Sequence, residues 1–193
     1  MCQNLRLETS LFIKLLEIDR KIATEVGRHP CPFCGGPLHQ AHYPRKPRGG
    51  PDEIDDAHRL RFSFCCGREG CRKRVTPAST RFLGRKVYFA PAILLLTTLL
   101  ATLPFSAIRP ILSIHGTNRR TLYRWRNWWQ NEFAESRVWK KLKGLLSPPP
   151  EPASLPGQLL NRFSGGFVDR MASCLSFLSP IGSTPVPPTG HAS

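Results

Sequence analysis

Carboxylates are scarce in this chain, and they run out early. There are 13 Asp and Glu against 28 Lys and Arg, and beyond Thr76 only Glu132, Glu135, Glu151 and Asp169 remain. No paired carboxylates, no nucleophile matched to a base and no glycine-rich phosphate loop can be found, so the chain is not expected to be an enzyme. His58 and His115 stand alone and read as surface or packing residues. Long apolar runs are also missing. The longest, "AILLLTTLLATL" between Pro91 and Pro104, has twelve residues, against the roughly 20 a membrane helix needs. It reads as a buried helix, and no membrane is expected as a partner. The N-terminal stretch carries early acids and no continuous apolar core, which argues against export and for a cytoplasmic, reducing setting.

What is present in excess is positive charge. The formal net charge is +15 with a pI near 10.2, which points to a polyanionic partner, most simply nucleic acid. The excess is concentrated: residues 81–143 hold twelve basic side chains against two acidic ones, whereas residues 144–193 hold two of each.

The seven cysteines are clustered too. "CPFCGG" places Cys31 and Cys34 so that two thiolates point inward from one tight turn, with Gly35 supplying the permissive backbone. Downstream, "CCGREGC" offers Cys66 and Cys71, with Cys65 as the alternative to Cys66. Adjacent strand residues face opposite sides, so Cys65 and Cys66 cannot both serve one tetrahedral site. Cys66 is favoured because a glycine follows it, as one follows Cys34. In a reducing compartment such a set holds metal rather than disulfides, and a closed four-thiolate site is structural. The expected cofactor is therefore a structural Zn2+. His29, His39 and His42 are spare nitrogen donors, while Cys2 and Cys174 read as bystanders.

The chain divides into four stretches. Residues 5–27 show apolar residues at helical spacing from Leu5 to Val26 with Gly27 as a stop, so 1–28 is expected as an amphipathic helix capping a core. Residues 29–80 are punctuated by Pro and Gly; "LHQAHY" and "RLRFSF" alternate as short strands, suggesting two hairpins pinned by cysteines. Residues 81–146 contain the apolar helix, a second helix from near Ser106 with Pro110 in its first turn, and a third after Gly116 capped by Thr117 or Asn118. Short helix, glycine turn and capped helix are the order of a helix–turn–helix. From 147 to 193 the Pro/Ser-rich texture predicts a largely disordered tail, in which "FVDRMASCLSFL" is a short helical stretch. The expected fold is small α+β: a zinc ribbon, then a helix–turn–helix module, then the tail.

In "TNRRTLYRWRNWWQNEF", Leu122, Trp125 and Trp129 face a core by their spacing. Asn118, Arg119, Arg120, Arg124, Arg126 and Asn127 are left for a DNA groove, since Arg suits guanine and Asn suits adenine. Lys140 and Lys141 in "RVWKKLKG" suit non-specific phosphate contact, and Arg72, Lys73 and Arg74 beside the second cysteine pair add to it.

The run "CPFCGG … CCGREGCRKRVTPAST … TNRRTLYRWRNWW", roughly half the chain, resembles the N-terminal part of bacterial insertion-sequence transposases that carry a zinc ribbon followed by a helix–turn–helix. The second cysteine pair departs from that family's usual C-x-x-C. The resemblance implies a protein that grips the terminal repeats of a mobile element. The family's nuclease needs three carboxylates over a fold of its own, which the few late acids here do not provide. The expectation is a sequence-specific DNA-binding accessory or regulatory protein without nuclease activity. Its partners would be duplex DNA, which implies a nucleoid-associated location, and a separate transposase or recombinase. An RNA-binding ribbon and a protein-interaction adaptor of a mobile-element system are the competing expectations.

Overall fold

The computed structural model describes residues 7–185. Cys2, Leu5 and residues 186–193 of the expected tail lie outside the described residues. The fold is small α+β. The chain runs through α1 (Thr9–Arg28), β1 (Leu38–Gln40), β2 (Tyr43–Pro44), α2 (Asp56–Arg59), β3 (Leu60–Arg61), β4 (Phe64–Cys66) and β5 (Arg74–Val75). Then follow α3 (Ala90–Thr102), α4 (Phe105–Ile114), α5 (Arg119–Asn127), α6 (Arg137–Leu142), α7 (Gly157–Leu160) and α8 (Phe167–Leu178). No helix among the described residues is long and apolar enough to cross a membrane.

The two alternating segments pair with each other rather than forming separate hairpins. β1 runs antiparallel to β4 with Leu38 opposite Cys66, and β2 antiparallel to β3 with Tyr43 opposite Arg61. Only β4–β5 is a hairpin, with Phe64 opposite Val75. The interruption at Ala41 and His42 is stitched by Ser63, whose carbonyl accepts from the Ala41 N–H (2.9 Å) and whose N–H donates to His42 Nδ1 (3.1 Å).

α1 belongs to two cores. Leu11, Phe12 and Leu15 are buried in the large helical core, whereas Leu16 and Ala23 pack against Phe62, Phe64 and Val75 of the strand region. At the crossover sits Asp19, fully buried and ion-paired to the equally buried Arg81 at 2.8 Å. Asp19 also accepts from the Ser79 hydroxyl (2.6 Å), the Thr80 N–H (2.6 Å) and the Thr80 hydroxyl (2.8 Å). The rest of the guanidinium donates to the carbonyls of Ala57, His58 and Leu60. A buried pair holds only when its remaining valences are filled in this way.

α3 is the central rod, with every residue from Ala90 to Thr97 buried. Its apolar composition dictates that position, and Pro91 sits in its first turn, where a missing N–H costs nothing. α4 differs from expectation. Its N-cap is Pro104 and not Ser106, two residues earlier, so Pro110 falls inside the helix. The exposed side on which Pro110 lies lets water take the carbonyl that the ring leaves unpaired.

The tail is the main correction. Residues 147–185 are not a disordered appendage. "FVDRMASCLSFL" is α8, and Met171, Ala172, Cys174, Leu175 and Leu178 are buried in the helical core, joined by Leu155, Leu159 and Leu160. The Pro/Ser-rich stretches on either side of α8 build no core of their own, and the apolar face of α8 is buried against helices distant in sequence. Cys174 is part of that core.

Two stability outcomes follow. Asp19→Ala leaves Arg81 charged and unpaired in the interior and is expected to cost about 3–5 kcal/mol, read from urea unfolding. Deleting residues 147–193 strips α8 from the core and is expected to abolish the cooperative thermal transition; a truncated chain with an unchanged transition would contradict this packing.

Candidate metal centre and basic cleft

Four cysteines converge where β1, β4 and β5 meet. The sulfurs of Cys31, Cys34, Cys66 and Cys71 all lie within 4.8 Å of one another, with Cys31–Cys71 at 3.9 Å and Cys34–Cys66 at 3.4 Å. Four thiolates about 2.3 Å from a tetrahedral ion stand about 3.8 Å apart, so the donor set fits a metal ion by size as well as by chemistry. No histidine joins the cluster among the described residues. His29 pairs with Glu25, His42 is held by Ser63, and His39 packs beside Gly67.

The geometry separates Cys66 from Cys65. Cys66 is fully buried in the cluster, while the Cys65 thiol points away and donates to the Arg72 carbonyl at 3.4 Å. Strand alternation is the cause, as the sequence implied.

Each arm of the site is built by the same local device. In the first, the Cys31 carbonyl accepts from Cys34 and Gly35 and the Cys31 N–H donates to Gly36, closing the turn. The Cys34 sulfur then receives the Gly36 N–H, two residues on. In the second arm the Cys66 sulfur receives the Arg68 N–H (3.4 Å) and the Cys71 sulfur receives the Lys73 N–H, again two residues on. Amides aimed at sulfur stabilise the thiolate form. Gly36 is required by proximity: a Cβ there would come within 3.2 Å of the Cys66 sulfur and 2.9 Å of Arg68 Cβ. Arg72 takes a left-handed backbone (φ +45) in the turn that carries Lys73 back toward Cys71. The Gly36 N–H holds the Cys34 thiol down at about 7, whereas burial pushes the Cys66 thiol up to about 12.

The second constellation is a cleft of about 1260 Å³ between the segment 83–88 and α5. α4 and α5 are joined by His115–Asn118, a turn that needs Gly116 at φ +57. The Asn118 side chain accepts the Thr121 N–H at 2.9 Å, which makes it the N-cap and commits its oxygen to the helix. Leu122, Trp125 and Trp129 are buried as their spacing required, and Trp129 and Phe133 stay inward through a π-helical turn at Trp128–Phe133.

Of the side chains expected to face a groove, Arg119, Arg120, Arg124 and Asn127 line this cleft. The guanidinium of Arg119 lies over the rings of Phe105 (4.8 Å) and Tyr123 (5.4 Å), which fixes its plane. Arg126 is exposed on the same helix but does not line the cleft. Lys140 and Lys141 project from α6, where Lys140 pairs with Glu135. Near the cysteines, Arg74 donates to the Ala41 carbonyl and the Ser63 hydroxyl, and Lys73 lies over Phe33, so both are engaged within the ribbon. Sequence reasoning missed Arg85 and Lys86, which line the opposite wall of the cleft. Their position beside a compact basic helix is a tertiary fact with no local signal.

Metal removal gives the sharpest check on the cysteine cluster. Cys66→Ser is expected to lose the bound metal and Cys65→Ser to keep it, read by metal content and by the thiolate-to-Co2+ absorption of a Co2+-loaded sample. Because binding displaces thiol protons, affinity is expected to fall as pH is lowered. No protein-family model, no characterised protein and no solved structure matches the chain.

Proposed function

We propose that this chain is a zinc-stabilised, sequence-specific DNA-binding protein without catalytic activity. A set of four thiolates in tetrahedral spacing is the donor set zinc prefers, and it leaves no open position for a substrate. The metal ties Cys31 and Cys34, ahead of β1, to Cys66 and Cys71 at the β4–β5 hairpin, in a region whose own apolar core is small. It therefore acts through stability and not through chemistry.

The observation that carries the DNA reading is the placement of Arg119, Arg120, Arg124 and Asn127 on one face of a capped helix, after a four-residue glycine turn, lining one cleft. The residues early in the second helix of such a unit reach base edges, and those around it meet phosphates. Duplex DNA is the partner this arrangement suits. The biological role that goes with it is an accessory or regulatory protein related to transposases, acting on element ends while a separate transposase or recombinase cuts.

The test is duplex binding at several salt concentrations by protein of known metal content. One zinc per chain is expected, with affinity falling steeply as salt rises. Arg119→Ala with Arg120→Ala is expected to weaken binding and to flatten sequence preference. Duplex RNA that competes better than duplex DNA would overturn the choice of partner. Wild-type affinity in the double variant would overturn the choice of surface.

A further inference from the structure

The wall opposite α5 is basic as well, with Arg85 and Lys86 facing the cleft that Arg119, Arg120 and Arg124 line. Arg85 is exposed and Lys86 half-buried, with the Lys86 ammonium 4.1 Å over the Trp128 ring. Burial lowers the pKa of Lys86 below its ordinary value, and the neighbouring Arg124 pushes the same way against the pull of Glu132. Arg85, Lys86, Arg119, Arg120 and Arg124 thus share one cleft in which Glu132 is the sole carboxylate among the lining residues. Concentrating like charge around a concavity costs free energy unless an anion enters.

The turn that carries Arg85 and Lys86 is fastened from behind. Arg45, just past β2, donates to the carbonyls of Gly84 (3.0 Å) and Lys86 (2.8 Å). The backbone of Arg48 brackets Tyr88, giving its N–H to Val87 and accepting from Phe89 (both 3.0 Å), and Tyr88 in turn packs its ring on Trp125 at 4.8 Å. The turn's backbone is held by the ribbon, while the cationic ends of Arg85 and Lys86 are left without a carboxylate partner among the described ion pairs. The cleft, about 1260 Å³, exceeds the roughly 300–1,000 Å³ of small-molecule pockets and lies between a turn and a helix. A polymeric anion suits it better than a small one.

We propose that the 83–88 turn is a second DNA-binding element: one phosphodiester strand of the duplex lies in the cleft, its phosphates held between Arg85 and Lys86 on one side and Arg124 on the other, while Arg119 and Arg120 reach the base edges. This rests on the reading of α5 as the DNA-contacting helix, and it adds that α5 grips in concert with a ribbon-anchored wall. Arg85 and Lys86 position the backbone and carry no sequence information.

The experiment is the salt dependence of binding to one duplex, measured for the wild type, Arg85→Ala, Lys86→Gln and the Arg85→Ala/Lys86→Gln pair, each checked for metal content and near-ultraviolet circular dichroism. The slope of log affinity against log salt is expected to fall by about 1 for each phosphate contact removed, with sequence preference unchanged. The exposed Arg85→Ala variant keeps the test valid if changes at Lys86 disturb Trp128. Wild-type slopes in Arg85→Ala and in the pair, with duplex binding intact, would sink the second wall and leave the α5 reading standing. No binding by the wild type would sink both.

Discussion

The Asp19–Arg81 ion pair is the constraint on which the rest of the architecture hangs. It is buried on both sides and sits where α1 passes from the helical core to the ribbon. Arg81 reaches the carbonyls of α2 and β3 with three of its donor bonds, and Asp19 holds the backbone at Thr80. One charged pair therefore fixes the angle between a helix, a strand ladder and the segment leading into α3. An apolar contact at the same place would stabilise without fixing direction. Hydrogen bonds to six separate groups do both, at the cost of a large penalty if either partner is lost.

The pair is also the clearest example of why net charge misleads about surface. Arg45, Arg61 and Arg81 all point their guanidinium groups at main-chain carbonyls across the seam between ribbon and helices. Arg45 reaches Gly84 and Lys86, Arg61 reaches Pro77 and Gly182, and Arg81 reaches Ala57, His58 and Leu60. A planar donor fork suits this work, since one side chain can satisfy several carbonyls that a turn leaves orphaned. Part of the formal charge of +15 is thus structural riveting.

Local signals were legible in the sequence and long-range ones were not. The cysteine spacings within each pair pointed to the four convergent sulfurs, strand alternation excluded Cys65 and Cys66 from serving together, and the glycine that follows Cys66 favoured it, because each of these signals lies within a few residues. The α5 core face followed from the i, i+3, i+7 placement of Leu122, Trp125 and Trp129. In the tail the short helix α8 was legible but its packing was not, because its burial depends on partners in α1 and α3. Asp19 left a trace that went unused: Leu11, Leu15, Asp19 and Ala23 recur every fourth residue on one buried stripe, and an acid in that stripe demands a buried cation. Which cation answers it, 62 residues away, has no local signature.

The same reasoning ties the metal centre to the cleft without any direct contact between them. The cysteine cluster anchors β1 to β4, the β1–β4 ladder sets the register that continues into β2–β3, and Arg45 leaves the end of β2 to hold the 83–88 turn. Each step is a hydrogen-bonded contact with little slack, since a one-residue slip in a short ladder would turn every side chain to the wrong face. Loss of a metal held by these cysteines would therefore act on the far wall of the cleft through the strand register, and α5, capped by its own Asn118 and packed by its own tryptophans, is the wall that such a loss would leave in place.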